Sequence, residues 1–259
     1  MYKRQVFNRA ALGFGQPNEL GLFLALSVPL IVSRVAAARG TVRLLWLACL
    51  AGAALGLVGT FSRASWVAVV LGVGVLLLVR AGRAALRIWA VTVVVAVVVD
   101  LGSGGALRDT AVRTVGDWVL EQRAALLLAG VLMFLDRPWL GFGPGGFAEH
   151  VEQYAPLVPE LSDIQPTPHN AYVQMAAEAG ILGLIATLVF MWAVFRVARR
   201  SALAAQDVRE RHLQLALLWS LGVIAIASLA TWPLSHGVGE AVVLVLALAC
   251  TGPAARSAP

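Results

Sequence analysis

The chain has 259 residues, 59% of them hydrophobic and 13% charged, with a formal charge of +6 and a mean hydropathy of +0.82. Soluble domains average about 45–50% apolar and about 25% charged residues, so this composition excludes a soluble globular domain and describes a polytopic membrane protein. Most arginines lie in short links between apolar runs, which reads as membrane topology and not as a nucleic-acid surface. Cys49 and Cys250 fall inside predicted spans, against both a disulfide framework and a zinc site.

The first residues carry a little positive charge but none of the roughly 7–15 consecutive apolar residues of a signal peptide. So abrupt a start reads as the C-terminal part of a longer chain. A span needs about 20 mostly apolar residues. That rule predicts an all-α polytopic transmembrane bundle, one membrane domain over 1–259, with about seven spans near 19–35, 42–60, 64–80, 84–100, 170–195, 213–232 and 236–252.

The links set the expected orientation. Arg34, Arg39 and Arg43 follow the first span, and Arg80, Arg83 and Arg87 separate the third from the fourth. Arg196, Arg199, Arg200, Arg209 and Arg211 follow the fifth, and Arg256 follows the last. All share one side, which the positive-inside rule makes cytoplasmic. The outer side then holds the loop 101–168, the tight link Phe61-Ser62-Arg63 and the turn from Trp232 to Gly239. That loop is far longer than a structureless connection, so it should carry structure or function. Within it, Ala124–Leu135 is apolar but only about 12 residues long, too short to span and suited to a helix lying on the membrane or packed beneath a site. Pro138 ends it and a tight turn follows. Nothing reads as a strand or an internal repeat.

Few residues could carry chemistry. His169 opens the fifth span after Pro166 and Pro168, which hold the approach extended. A helix N-terminus disfavours imidazolium, so a neutral His169 could serve as general base towards a hydroxyl. The plain alternative is an interfacial helix cap, a role for which Asn170 competes. Arg63 is the sole charge between Arg43 and Arg80. It reads either as a phosphate clamp, through the paired donors of guanidinium, or as a snorkelling side chain. Arg123 begins the short outer helix and by itself reads as a solvated face. With Arg108, Arg113 and Arg137 it makes the outer face basic, which suits a polyanionic or pyrophosphate-linked substrate.

Gly141–Gly146 matches G-x-G-x-x-G, yet it follows a helix and a proline with no preceding strand, so a nucleotide loop is rejected. Its glycines, Gly143 among them, rather allow a sharp turn or a close approach to substrate. Glu178 is an intramembrane carboxylate, either functional or the partner of a buried polar group. Ala176, Gly180 and Gly183 on the same helix point to close helix packing. His236 and Glu240 open the last span on the outer side and could join the site. No D-x-D pair or His/Cys cluster supports a metal, and no cofactor is expected.

Four stretches in order resemble the O-antigen ligase and Wzy-type polymerase superfamily of bacterial membrane proteins: GQPNELGLFLALSVPL with Asn18, TFSRASWVAVVLG, RAALLLAGVLMFLDRPWLGFGPGGF and PHNAYVQMAAEAGILGL. None is specific alone; their order and the intervening loop carry the match. Ala64 stands where the family more often has glycine. Its members usually have more spans, so the resemblance implies missing N-terminal ones. It also implies an inverting, metal-independent glycosyl transfer on the outer face of the cytoplasmic membrane, from a polyprenyl-diphosphate (undecaprenyl-type) glycan to a lipid, wall-polymer or protein acceptor. By that resemblance His169 activates the acceptor hydroxyl, and Arg63 and Arg123 hold the donor diphosphate. Ligase and polymerase share the donor and differ only in acceptor, whose place would be the loop from Glu149 to Gln165. A transporter is the reading from another class, but it should show inverted repeats or broken helices in paired halves, and the sequence shows neither.

Overall fold

The computed structural model describes residues 11–78, 87, 90, 91, 94, 117–158, 167–234 and 238–252. All regular structure among them is helical. The helices are α1 Pro17–Ala37, α2 Gly40–Gly59, α3 Arg63–Leu78, α4 Asp117–Asp136, α5 Gly146–His150, α6 Ala171–Ala204, α7 Val208–Ala227 and α8 Gly239–Cys250, with a 3-10 turn at Val151–Tyr154. Three of them, α1, α2 and α6, are long and apolar enough to cross a membrane. The span expected near 84–100 and most of the loop before 117 lie outside the described residues.

Helix α7 is the axis of the bundle and packs against α1, α3, α6 and α8. It is buried continuously from Ala216 to Ile224, and its polar side chains are tied to neighbouring backbones. Trp219 Nε1 donates to the Val69 carbonyl at 2.9 Å, and Ser220 Oγ to that of Leu26 at 3.2 Å. Such bonds satisfy polar groups that the apolar interior would otherwise penalise. By contrast α2 leaves Leu44, Leu45, Leu47 and Leu55 exposed, and α6 leaves Leu182, Ile185, Val189 and Phe190 exposed. These faces suit lipid, not water.

Several boundaries differ from the sequence expectation, among them the C-terminus of α7, which falls at Ala227 and not near 232. Helix α6 runs on to Ala204 instead of stopping near 195, because its arginine-bearing last turns form helix well although they are not apolar. Helix α7 starts at Val208, not near 213, since Asp207 caps it by accepting from the Glu210 amide at 3.0 Å. The short outer helix expected over Ala124–Leu135 is a 20-residue helix, Asp117–Asp136. Its first turn, Asp-Trp-Val-Leu-Glu, is a good helix start that an apolar-run rule passes over.

Helix α6 is broken at Gly180, whose φ of 63° and ψ of −164° are non-helical. Both ends of α6 meet α7: the Ala171 amide donates to the Ser228 carbonyl at 2.8 Å, and at the other end only Ala205–Asp207 join the two helices.

Candidate functional site

The start of α1, the α2–α3 link, the start of α6 and the end of α7 gather at one end of the bundle: Gly21 lies against Ser62 and Ser65, and Ala171 is bonded to Ser228. The α2–α3 link is short and internally bonded. Thr60 Oγ1 donates to the Leu57 carbonyl at 2.7 Å and accepts from the Ser62 amide at 3.2 Å, while Phe61 turns through a φ of 51°. Trp66 Nε1 also donates to Leu57, at 2.8 Å. These bonds fix Arg63, which is the first residue of α3 and not part of the link as the sequence had it.

At α6 the competition between His169 and Asn170 is resolved. Asn170 is the cap, its Oδ1 accepting from the amides of Tyr172 at 3.0 Å and Val173 at 3.1 Å. Its Nδ2 donates to the Leu229 carbonyl at 3.1 Å, tying the start of α6 to the end of α7. His169 lies one residue earlier with a φ of 50°, a left-handed conformation in which histidine is enriched among non-glycine residues. It is half-buried and released from capping.

Helix α4 lies along the first part of α6, with Gly130 directly against Val173. The contact brings Arg123, near the start of α4, beside His169. Burial lowers the pKa of His169 below the usual imidazole value, and the Arg123 charge lowers it further. The cause is therefore burial and a cation, where the sequence pointed to the helix dipole. Arg123 in turn is lowered first by its own burial and then by the Arg63 guanidinium. Arg63, Arg123 and His169 thus form one chain of electrostatic neighbours, drawn from α3, α4 and the residue before the α6 cap, which lie far apart in sequence. Two guanidinium groups held together repel each other in water-poor surroundings, and an anion between them reverses that repulsion.

Arg137, Gly143 and Glu178 lie elsewhere. Arg137 is 14 residues beyond Arg123, about 21 Å along α4, with its guanidinium 4.4 Å from the centre of the Phe142 ring. Glu178 Oε1 accepts from Gln174 Nε2 at 3.2 Å, one turn away on its own helix. Its backbone does more. The break at Gly180 frees α6 carbonyls, and the turn after α4 claims them: Phe142 donates to Ala177 at 3.0 Å, Gly143 to Glu178 at 2.8 Å, and Ile181 donates back to Pro138 at 2.7 Å. This backbone latch, absent from any sequence expectation, joins the end of α4 to α6 and holds α4 in register. Leu126, Ala129 and Met133 of α4 add a small core with Phe147, Val151, Tyr154 and Ala177, closed by Tyr154 Oη donating to Asp136 Oδ2 at 2.6 Å. His236 lies outside the described residues. Among the described residues no group of three His, Cys, Asp or Glu side chains could hold a metal ion.

Gly141 and Gly180 are where the latch admits no side chain. Both have φ above 60°, and a Cβ at Gly180 would strike the Trp139 carbonyl, one at Gly141 the Glu178 backbone. Gly180→Ala should therefore destabilise the protein by at least about 2 kcal/mol, from left-handed strain and overpacking together. Gly52 on α2 has open space around its Cα, so Gly52→Ala should be neutral or slightly stabilising. Thermal unfolding in detergent checks both; equal midpoints for the two variants would show that the latch contributes nothing.

No curated protein matches the chain. Residues 47–188, more than half of the 259 and including Arg63, Arg123 and His169, match the model of the O-antigen ligase family. The chain belongs to the O-antigen ligase family.

Proposed function

We propose that the protein is a membrane glycosyltransferase of the ligase type, acting on the outer face of the cytoplasmic membrane. The donor is a glycan on polyprenyl diphosphate, and the acceptor is a hydroxyl on a lipid, wall polymer or protein. The observation that supports this most is the chain of neighbours in which Arg63 acts on Arg123 and Arg123 on His169, whose pKa is lowered. Family membership supports the class of reaction. In the proposed topology about seven spans cross the membrane, with the arginine-rich links inside and the His169 end outside.

The reaction is one displacement with inversion. His169 takes the proton of the acceptor hydroxyl as its oxygen attacks the anomeric carbon. The new carbon–oxygen bond forms as the anomeric C–O bond to phosphate breaks. Polyprenyl diphosphate leaves with the bonding electrons, and Arg63 and Arg123 neutralise the charge that grows on it. Imidazolium then returns its proton to water or to the diphosphate. A polymerase follows the same steps with another glycan chain as acceptor.

In proteoliposomes supplied with such a donor and a hydroxyl acceptor, the protein should release polyprenyl diphosphate and form the glycoside. Failure to form any glycoside from either kind of acceptor would sink the proposal. EDTA should leave the rate unchanged; complete loss, restored by a divalent ion, would overturn the metal-independent mechanism.

The pH profile follows from the direction of the His169 shift. A base is active when neutral, and a lowered pKa keeps the ring neutral at more acid pH. Activity should therefore fall only below about pH 6.5, the ordinary histidine value, as the pH drops through the lowered pKa. Arg123→Gln removes one cause of the lowering, so its acid limb should move towards higher pH even as its rate drops. An unmoved limb would contradict the neighbour relation.

A further inference from the structure

The second half of α4 carries an apolar face that neither the small core nor the latch uses. Leu128, Val131 and Leu135 form a single stripe, continued beyond the helix by Trp139 and Leu140, and all five are exposed. Exposure is highest at the tip, 63% for Leu135, 70% for Trp139 and 73% for Leu140. In water such a contiguous apolar surface is a liability, so something covers it.

Its depth identifies the cover. Arg196 stacks on Trp192, with 5.0 Å from guanidinium to ring centre, a pairing of aromatic and cation typical of a membrane boundary. The hydrocarbon is about 30 Å thick and the helix from Arg196 back to the break at Gly180 rises about 24 Å, so the break lies within about 6 Å of the opposite boundary. The turn after α4 is bonded to α6 there, Pro138 to Ile181 and Gly143 to Glu178, and so shares that depth. Immediately below, α6 exposes Leu182, Ile185 and Val189. The two charges nearest the tip are both engaged: Asp136 is bonded to Tyr154 and Arg137 is stacked on Phe142.

We infer that the Leu128–Leu140 face of α4 is a membrane-docking surface seated among the acyl chains of the leaflet on the His169 side. Trp139 and Leu140, level with Gly180, are its deepest part. In the orientation proposed above that leaflet is the outer one; the docking itself does not depend on the transfer chemistry. Helix α4 is then held between lipid on one face and the small core on the other, with Arg123 raised towards the headgroups.

The test uses the full chain with its two free, exposed cysteines changed, Cys49→Ser and Cys250→Ser, reconstituted in phospholipid vesicles. A spin label is placed at Leu135→Cys, Leu140→Cys or, on the exposed side of α5, Glu149→Cys. Collisions with oxygen should exceed those with a water-soluble nickel chelate severalfold at 135 and 140, and the order should reverse at 149. Nickel dominance at 135 and 140 would put the face in water, and protection from both reagents would put it against protein; either result overturns the inference. Where a labelled variant is not recovered, membrane-impermeant maleimide on intact cells gives the same decision. The thiol introduced by Glu149→Cys should react and the one introduced by Leu140→Cys should not, whereas equal labelling contradicts docking. Neither readout uses activity, so failure of the proposed reaction would be seen separately.

Discussion

His169→Ala should lower glycosyl transfer by about 10²–10⁴-fold, the usual contribution of a positioned general base, with the protein still present in the membrane at its normal level. The structure gives the reason to expect little loss of fold. Asn170, not His169, caps α6 and bonds to α7, so removing the imidazole leaves that joint intact. The left-handed backbone at position 169 is somewhat less comfortable for alanine than for histidine, a cost of about 1 kcal/mol or less that the surrounding bonds can absorb. Rates measured on purified variant and wild type in the same vesicles, beside their membrane abundance, check this. A variant that turns over within a few fold of wild type would remove His169 from the chemistry.

Arg63→Lys should be the second large effect. Lysine keeps the charge at the start of α3 but offers a single ammonium in place of the guanidinium fork. Hydrogen bonds to charged groups contribute about 1.5–3 kcal/mol, so losing one on the diphosphate should reduce kcat/KM for the donor by about 10- to 100-fold. Because the charge on the leaving group grows during the reaction, part of the loss should fall on kcat as well as on KM. Kinetics against donor concentration separate the two. Wild-type donor kinetics in Arg63→Lys would refute the clamp.

What the sequence could show and what it could not follow from the range of the forces involved. Helix character, the membrane class and the starts of α3 and α6 are written in local composition, because apolar runs, prolines and isolated charges act where they stand. The C-terminus of α6 and the N-terminus of α7 ran past expectation because helix propensity and hydrophobicity are different properties, and the charged turns around Arg199 and Arg209 satisfy the first without the second. The break at Gly180 was illegible for another reason. Gly180 and Gly183 read equally well as small residues for close packing, and only the turn carrying Gly141, some forty residues upstream, shows that one of them must leave the helix. The meeting of Arg63, Arg123 and His169 is likewise non-local, and in the sequence only the family resemblance pointed to it. The capping contest between His169 and Asn170 needed the carbonyl of Leu229, which no local pattern could supply.

The most direct test of the central claim, that this chain transfers a glycan from a lipid diphosphate using His169, is made in the native host. Surface glycans and lipid-linked intermediates are compared between wild type and a chromosomal His169→Ala strain. Transfer through His169 requires loss of the mature surface glycan with accumulation of its donor: completed chains on the polyprenyl carrier for a ligase, single repeats for a polymerase. Unchanged pools of both, with the variant protein present in the membrane, would contradict it.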